Sequence, residues 1–169
     1  VYSDIKNSDH FSCGFVEAIS DEHILIQSVN KYGLYDGYAI RKVDGIFRID
    51  DNGDYEKRLY ALYNIQQQKH KGLLKNELTK DDNLIIEALK SAMINKYVIS
   101  ICVFFDEQEG EDVSGWVRSL SDSEIVISKI SYYGHDDGVA VIQLSSIYKI
   151  DCDADYEISL RLLNNDKSK

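Results

Sequence analysis

The stretch Gly14-Phe-Val-Glu-Ala-Ile-Ser-Asp21-Glu-His-Ile-Leu-Ile26 returns later in the chain as Gly115-Trp-Val-Arg-Ser-Leu-Ser-Asp122-Ser-Glu-Ile-Val-Ile127. The same spacing carries Tyr32-Gly33-x-x-Asp36-Gly37 onto Tyr133-Gly134-x-x-Asp137-Gly138. It also carries Asp50…Asp54-Tyr55-Glu56 onto Asp151…Asp155-Tyr156-Glu157. Residues 14–65 therefore align with 115–166 without a gap, and about twenty of roughly fifty positions are identical. Two tandem copies of one small unit account for this pattern.

Each copy alternates short β-forming runs with turn signals. In the second, Tyr97–Phe105 is dense in β-branched and aromatic residues and predicts a buried strand. Val113–Leu120, Ile125–Ile130, Val139–Leu144 and Ile147–Ile150 predict four more. Gly115 falls inside a strand, where glycine marks a bend, a bulge or close backbone approach. Leu84, Ile85, Ala88, Leu89, Ala92 and Met93 recur at helical spacing, predicting a leading helix capped by Asp81 or Asp82 and ending near Asn95. Asp155 opens a closing helix that carries Ile158, Leu162 and Leu163.

The first copy repeats the order as Gly14–Ile19, Ile24–Val29, Tyr38–Val43 and Ile46–Ile49. A helix from about Asp54, bearing Leu59, Leu62 and Tyr63, follows it. The expected organisation is a first unit over 1–65, a linker over 66–80 and a second unit over 81–169 with its own leading helix. The linker is polar and lysine-rich, and the absence of proline predicts that it is helical or turned. Val1 and Tyr2 correspond to Cys102 and Val103, midway along a strand. The first unit is thus expected to lack a leading helix and to carry a shortened edge strand.

A helix followed by five short antiparallel strands, the second bent at a glycine, resembles the small barrel of Sm-like proteins. Gly115 to Ile127 resembles the first Sm motif, and Gly138-Val-Ala-Val-Ile142 with Ile147-Tyr-Lys-Ile150 resembles the second. An SH3-like barrel produces a similar pattern. The resemblance covers nearly all of both copies. It implies a mainly β fold with helices, made of two five-stranded Sm-like or SH3-like barrels in tandem, each with short helices. The family's RNA-binding residues are not carried over. Its Asn after the acidic turn is replaced by Ile24 and Ile125, and its Arg-Gly pair by Arg41-Lys42 and Gln143-Leu144.

The net charge is −10, and 28% of the 169 residues are charged. Residues 1–65 carry about −4, 66–96 about +2 and 97–169 about −8. Such a surface repels nucleic acid, whose non-specific binding depends on phosphate neutralisation. No apolar run approaches the ~20 residues that span a bilayer, and no basic start precedes an apolar stretch. Cys13, Cys102 and Cys152 are widely spaced, and none has a cysteine at the equivalent position, so free thiols and a cytoplasmic setting are expected.

The Tyr-Gly-x-x-Asp-Gly motif reads as a structural turn in both copies, with Gly33, Asp36, Gly37, Gly134, Asp137 and Gly138 setting its backbone. His135-Asp136-Asp137 has no third spaced ligand for a metal, and Leu34-Tyr35-Asp36 stands in its place in the first copy. The acidic run Asp106–Asp112 lacks the ligand order of a calcium loop and reads as a solvated hairpin tip. The carboxylates Asp50, Asp151, Glu56 and Glu157 fit helix starts better than catalysis. His10, His23, His70 and His135 fall at unrelated positions, and there is no P-loop or G-x-G-x-x-G, so no catalytic residue, metal or cofactor is expected. Tyr32, Tyr35, Tyr38 and Tyr133 are the candidate contact surface, since exposed tyrosine suits interfaces.

Three functions compete. The first is a non-enzymatic interaction or assembly module that binds a protein partner or itself, because two full copies share no catalytic constellation. The second is a nucleic-acid-binding Sm-like protein, which the charge opposes. The third is a small-ligand protein or enzyme with a site between the copies, which requires an inter-copy pocket.

Overall fold

In a computed structural model, residues 1–3, 11–75, 78, 82–105, 108–110 and 112–166 are described. The elements are β1 (Gly14–Ile19), β2 (His23–Val29), β3 (Tyr35–Lys42), α1 (Asp54–Ile65), α2 (Leu84–Asn95), β4 (Val98–Phe105), β5 (Gln108–Glu109), β6 (Val113–Leu120), β7 (Glu124–Ile130), β8 (Asp136–Gln143), β9 (Ile147–Cys152) and α3 (Asp155–Asp166). Short 3-10 turns at Val43–Gly45 and Leu144–Ser146 follow β3 and β8. The chain is mainly β with helices.

All strands join one antiparallel sheet in the order β1-β2-β3-β9-β4-β6-β7-β8, with β5 paired to β4. This differs from the expected pair of separate five-stranded barrels, because the described strands form one continuous path. The physical reason lies in β9, which uses both of its edges. Ile150 faces Ile101 of β4 on one side and Ile40 of β3 on the other. The strand expected at Ile46–Ile49 forms only an isolated bridge between Tyr2 and Arg48.

The register of the first three strands recurs 101 residues later. Gly14↔Ser28 becomes Gly115↔Lys129, and His23↔Lys42 becomes Glu124↔Gln143. The register shifts at Val16/Ala18 and Gln27/Val29 also return, at Val117/Ser119 and Ser128/Ile130. Gly14 and Gly115 are required by close approach, as strand glycines often are. A Cβ there would collide with the carbonyl oxygen of Gln27 or Ser128.

The main core spans both copies. Leu25, Tyr38 and Ile40 from the first meet Ile99, Ile125, Ile127 and Ile150 from the second, under Leu84, Ile85, Ala88 and Leu89 of α2. Apolar residues at i, i+1, i+4 and i+5 give α2 one buried face. Its cap is Asn83, whose Oδ1 accepts from the Ile85 N–H at 3.1 Å and the Ile86 N–H at 3.4 Å. The expected caps fail on position, since Asp82 lies one residue too early and Asp81 is outside the described residues. Lys96, with φ 53°, ends the helix in the left-handed region.

The described part of the 66–80 linker contains no helix beyond a turn after α1. It is pinned to the first copy instead. The Lys71 N–H donates to Gln27 Oε1 at 2.7 Å, the Leu73 N–H donates to Glu17 Oε2 at 2.9 Å, and Leu73 is buried. Residues 106, 107 and 111 of the acidic run, and His10, lie outside the described residues.

Candidate interaction surface

The seam between the copies is a strand ladder with Tyr38↔Cys152, Ala39↔Asp151, Ile40↔Ile150 and Arg41↔Lys149 in register. Ile40 and Ile150 are both buried there. Arg41 reinforces the ladder, donating through Nη2 to Asp151 Oδ1 at 2.6 Å and through Nη1 to the Ile150 carbonyl at 2.9 Å. Just beyond, Asp36 Oδ1 accepts from the Asp155 N–H at 3.2 Å, satisfying a free donor at the start of α3. Desolvation raises the Asp36 carboxyl above its ordinary value. The Tyr35 hydroxyl donates to Asp153 Oδ2 at 3.5 Å.

Gly37 marks the closest approach. Its φ is 67°, and a Cβ at this position would collide with Cys152 O and Ala154 N. Positive φ is present at Gly33, Gly37, Gly134 and Gly138. The location of the Asp-Gly pairs is different from expectation, however. The hairpin turn is Asn30–Leu34, closed by Gly33 N–H to Asn30 O at 2.8 Å and Asn30 N–H to Leu34 O at 2.9 Å. Asp36-Gly37 and Asp137-Gly138 lie inside β3 and β8, at the register shifts opposite Gln27/Val29 and Ser128/Ile130. A glycine with positive φ absorbs the extra residue of such a bulge.

Among the described residues, no strand lies against the equivalents of the seam partners. β8, the counterpart of β3, ends the sheet, and Val139 and Val141 are exposed. Val141 corresponds to Ile40 and is 60% accessible. Residues 46–51, the counterpart of β9, leave Phe47 exposed and Ile49 64% accessible. Ile49 and Asp51 make no backbone–backbone hydrogen bond to a described residue. The carboxylate of Asp50, whose equivalent Asp151 meets Arg41, is met by Arg48 at 2.7 and 2.8 Å, which lowers its pKa.

The tyrosine quartet does not form one surface. Tyr32 and Tyr133 are exposed on the two hairpin turns, Tyr35 is half-buried at the seam, and Tyr38 is in the core. Tyr38 shares a strand face with Ile40, two residues on, so strand alternation turns it inward. Its hydroxyl donates to the Lys71 carbonyl at 3.1 Å. That period-two relation was available in the sequence and would have placed Tyr38 correctly.

Two concavities bear on chemistry. One, of about 470 Å³, opens in the first copy and is lined by Phe15, Val29, Leu59 and Tyr63 among others. In the second copy the equivalents Trp116, Ile130 and Leu160 close around Val98 of β4. The other, of about 690 Å³, lies between the copies and is bordered by Asp36, Arg41, Ser100, Asp151 and Glu157. Burial pushes the Glu157 carboxyl up to about 7, against hydrogen bonds that pull it down. Ser100 Oγ donates to Glu157 Oε1 at 2.5 Å, while Glu157 Oε2 is buried with no hydrogen-bond partner among the described residues. Asp155, the expected cap, is the first residue of α3 itself and so stands one position past the N-cap. Burial raises the Cys152 thiol well above its ordinary value and also raises the half-buried Cys13, which disfavours the nucleophilic thiolate. Among the described residues no helix is long and apolar enough to cross a membrane.

No protein family, curated protein or solved structure matches this chain.

Proposed function

We propose that this chain is a non-enzymatic interaction module, built from two copies of an Sm-like or SH3-like unit, that binds a protein partner or itself by strand addition. One observation carries the reading. Among the described residues β8 ends the sheet with exposed Val139 and Val141, while the same positions in the first copy lie beside β9 and are buried in the shared core. An unpaired strand edge with apolar side chains is a ready template for another chain, because its backbone donors and acceptors supply affinity and its side chains supply selectivity. The inter-copy cleft supports the ligand-site alternative less well, since one oxygen of its buried carboxylate is already held by Ser100.

A photo-crosslinking residue at Val141 tests the proposal in the source cell, with Lys90 on the exposed side of α2 as the control position. Polypeptide adducts at 141 and few at 90 are expected. Absence of adducts at 141, or equal labelling at both, contradicts the reading.

A further inference from the structure

We infer that the partner of the β8 edge is a second copy of this chain, docked through its residues 46–51 in the register that β9 uses on β3. The inference rests on the interaction-module reading and specifies its occupant. Moving the seam ladder back by the repeat spacing pairs β8 with the second molecule's 46–51 segment. Val139 then faces Asp51, Ala140 faces Asp50, Val141 faces Ile49 and Ile142 faces Arg48.

Four independent features fit this placement. First, Val141 and Ile49 are exposed, yet they are the equivalents of Ile40 and Ile150, which are cross-strand partners and both buried. An apolar cross-strand pair is restored when the two segments meet. Second, Gly138 keeps φ 79° although a Cβ there would touch nothing within 4 Å. At Gly37 the same conformation accommodates the backbone of residues 152–154. The corresponding residues 51–53 of a second molecule need that same clearance at Gly138. Third, the start of α1 has no side-chain cap, its N-cap position being Gly53. At the internal seam Asp36 supplies the missing acceptor to Asp155 of α3. Asp137, now exposed and bonded to Lys129 Nζ at 2.9 Å, is placed to do so for Asp54 of the docked molecule. Fourth, Asp50 is already neutralised by Arg48, so Ile142, which replaces Arg41, leaves no carboxylate unmet.

The contact joins two different surfaces, so each molecule keeps one open edge after docking. Such head-to-tail contacts generate a ring where the rotation closes and a filament where it does not.

The test is sedimentation velocity of the wild-type chain and of Val141→Glu and Ile49→Glu, alone and mixed. Both sites are solvent-exposed, and unchanged melting curves confirm that each variant folds. The wild-type mass is expected to climb with concentration above the 19.3 kDa of one chain. Each variant alone is expected to lose association by at least tenfold in apparent affinity. The mixture is expected to stop at a dimer, because Ile49→Glu retains an intact β8 edge and Val141→Glu retains an intact 46–51 segment. A wild-type chain that stays monomeric to its solubility limit overturns the inference. So does association that survives either substitution, or a mixture that fails to pair. Crosslinks from Val141 to a different protein, with a monomeric wild type, sink this inference and leave the module reading standing.

Discussion

β3 and β8 hold equivalent places in the two copies and are identical in register to their preceding strands, yet Tyr38 and Ile40 of β3 are buried while Val139 and Val141 of β8 are exposed. The difference does not arise inside either copy. It arises where the copies meet, because β9 lies against β3 and Tyr38 and Ile40 pack into the core with α2 and Leu73, whereas nothing described lies against the outer edge of β8. Likewise β9 is a full strand between two neighbours, whereas residues 46–51 keep only the bridge from Tyr2 to Arg48. Extended structure at these positions is therefore a property of the neighbour as much as of the residues, as the context dependence of β propensity implies.

The comparison breaks most sharply at its glycines. Gly37→Val forces a side chain into Cys152 O and Ala154 N at positive φ, and is expected to cost more than about 4 kcal/mol. Gly138→Val meets no atom within 4 Å and carries only the backbone strain, about 1–3 kcal/mol. Paired thermal melts in dilute solution decide the matter, and equal losses refute the asymmetry. The next effect is at the ladder. Ile150→Ala leaves a cavity in the shared core and should cost about 2–5 kcal/mol. Ile49→Ala, at an exposed site, should stay within about 0.5 kcal/mol. Urea titration separates these outcomes.

A smaller, pH-dependent difference follows from β4, whose Ser100 closes over Glu157 in the second copy. Burial holds that carboxyl up at about 7. Between the ordinary carboxylate value and about 7, the folded chain keeps a proton that the unfolded chain has released. Its contribution to stability is full below the ordinary value and is lost as pH rises through about 7. The melting temperature should fall between about pH 5 and about pH 8, and Glu157→Gln should flatten that fall. A profile unchanged by the substitution contradicts the assignment. The smallest signal is expected from RNA. Ile24 and Ile125 are buried in both copies and the net charge is −10, so oligo-uridine should bind more weakly than micromolar at about 0.15 M salt. Micromolar binding by fluorescence anisotropy overturns this.

Much of the local structure was readable from residues alone. Gly14 and Gly115 announced a close strand approach, and alternating apolar runs located β1, β2, β4, β6 and β7 within a residue or so. The β9–β3 pairing was not readable, because it joins segments about a hundred residues apart and no local signal selects between two equivalent edges. That pairing replaced two expected barrels by one strand path. The Asp-Gly pairs misled for a related reason. Their positive φ is a true local property, but the same conformation serves a hairpin turn and an in-strand bulge equally well.

Hydrogen exchange followed at rising protein concentration tests the central claim most directly. The amides of β3 should be protected at every concentration, being sealed by β9 within one molecule. The β8 amides that point away from β7, and those of residues 48–51, should exchange fast in dilute solution and gain protection together as concentration increases. Exchange at those β8 amides that is independent of concentration, or their protection without residues 48–51, would contradict the equivalence of the two edges.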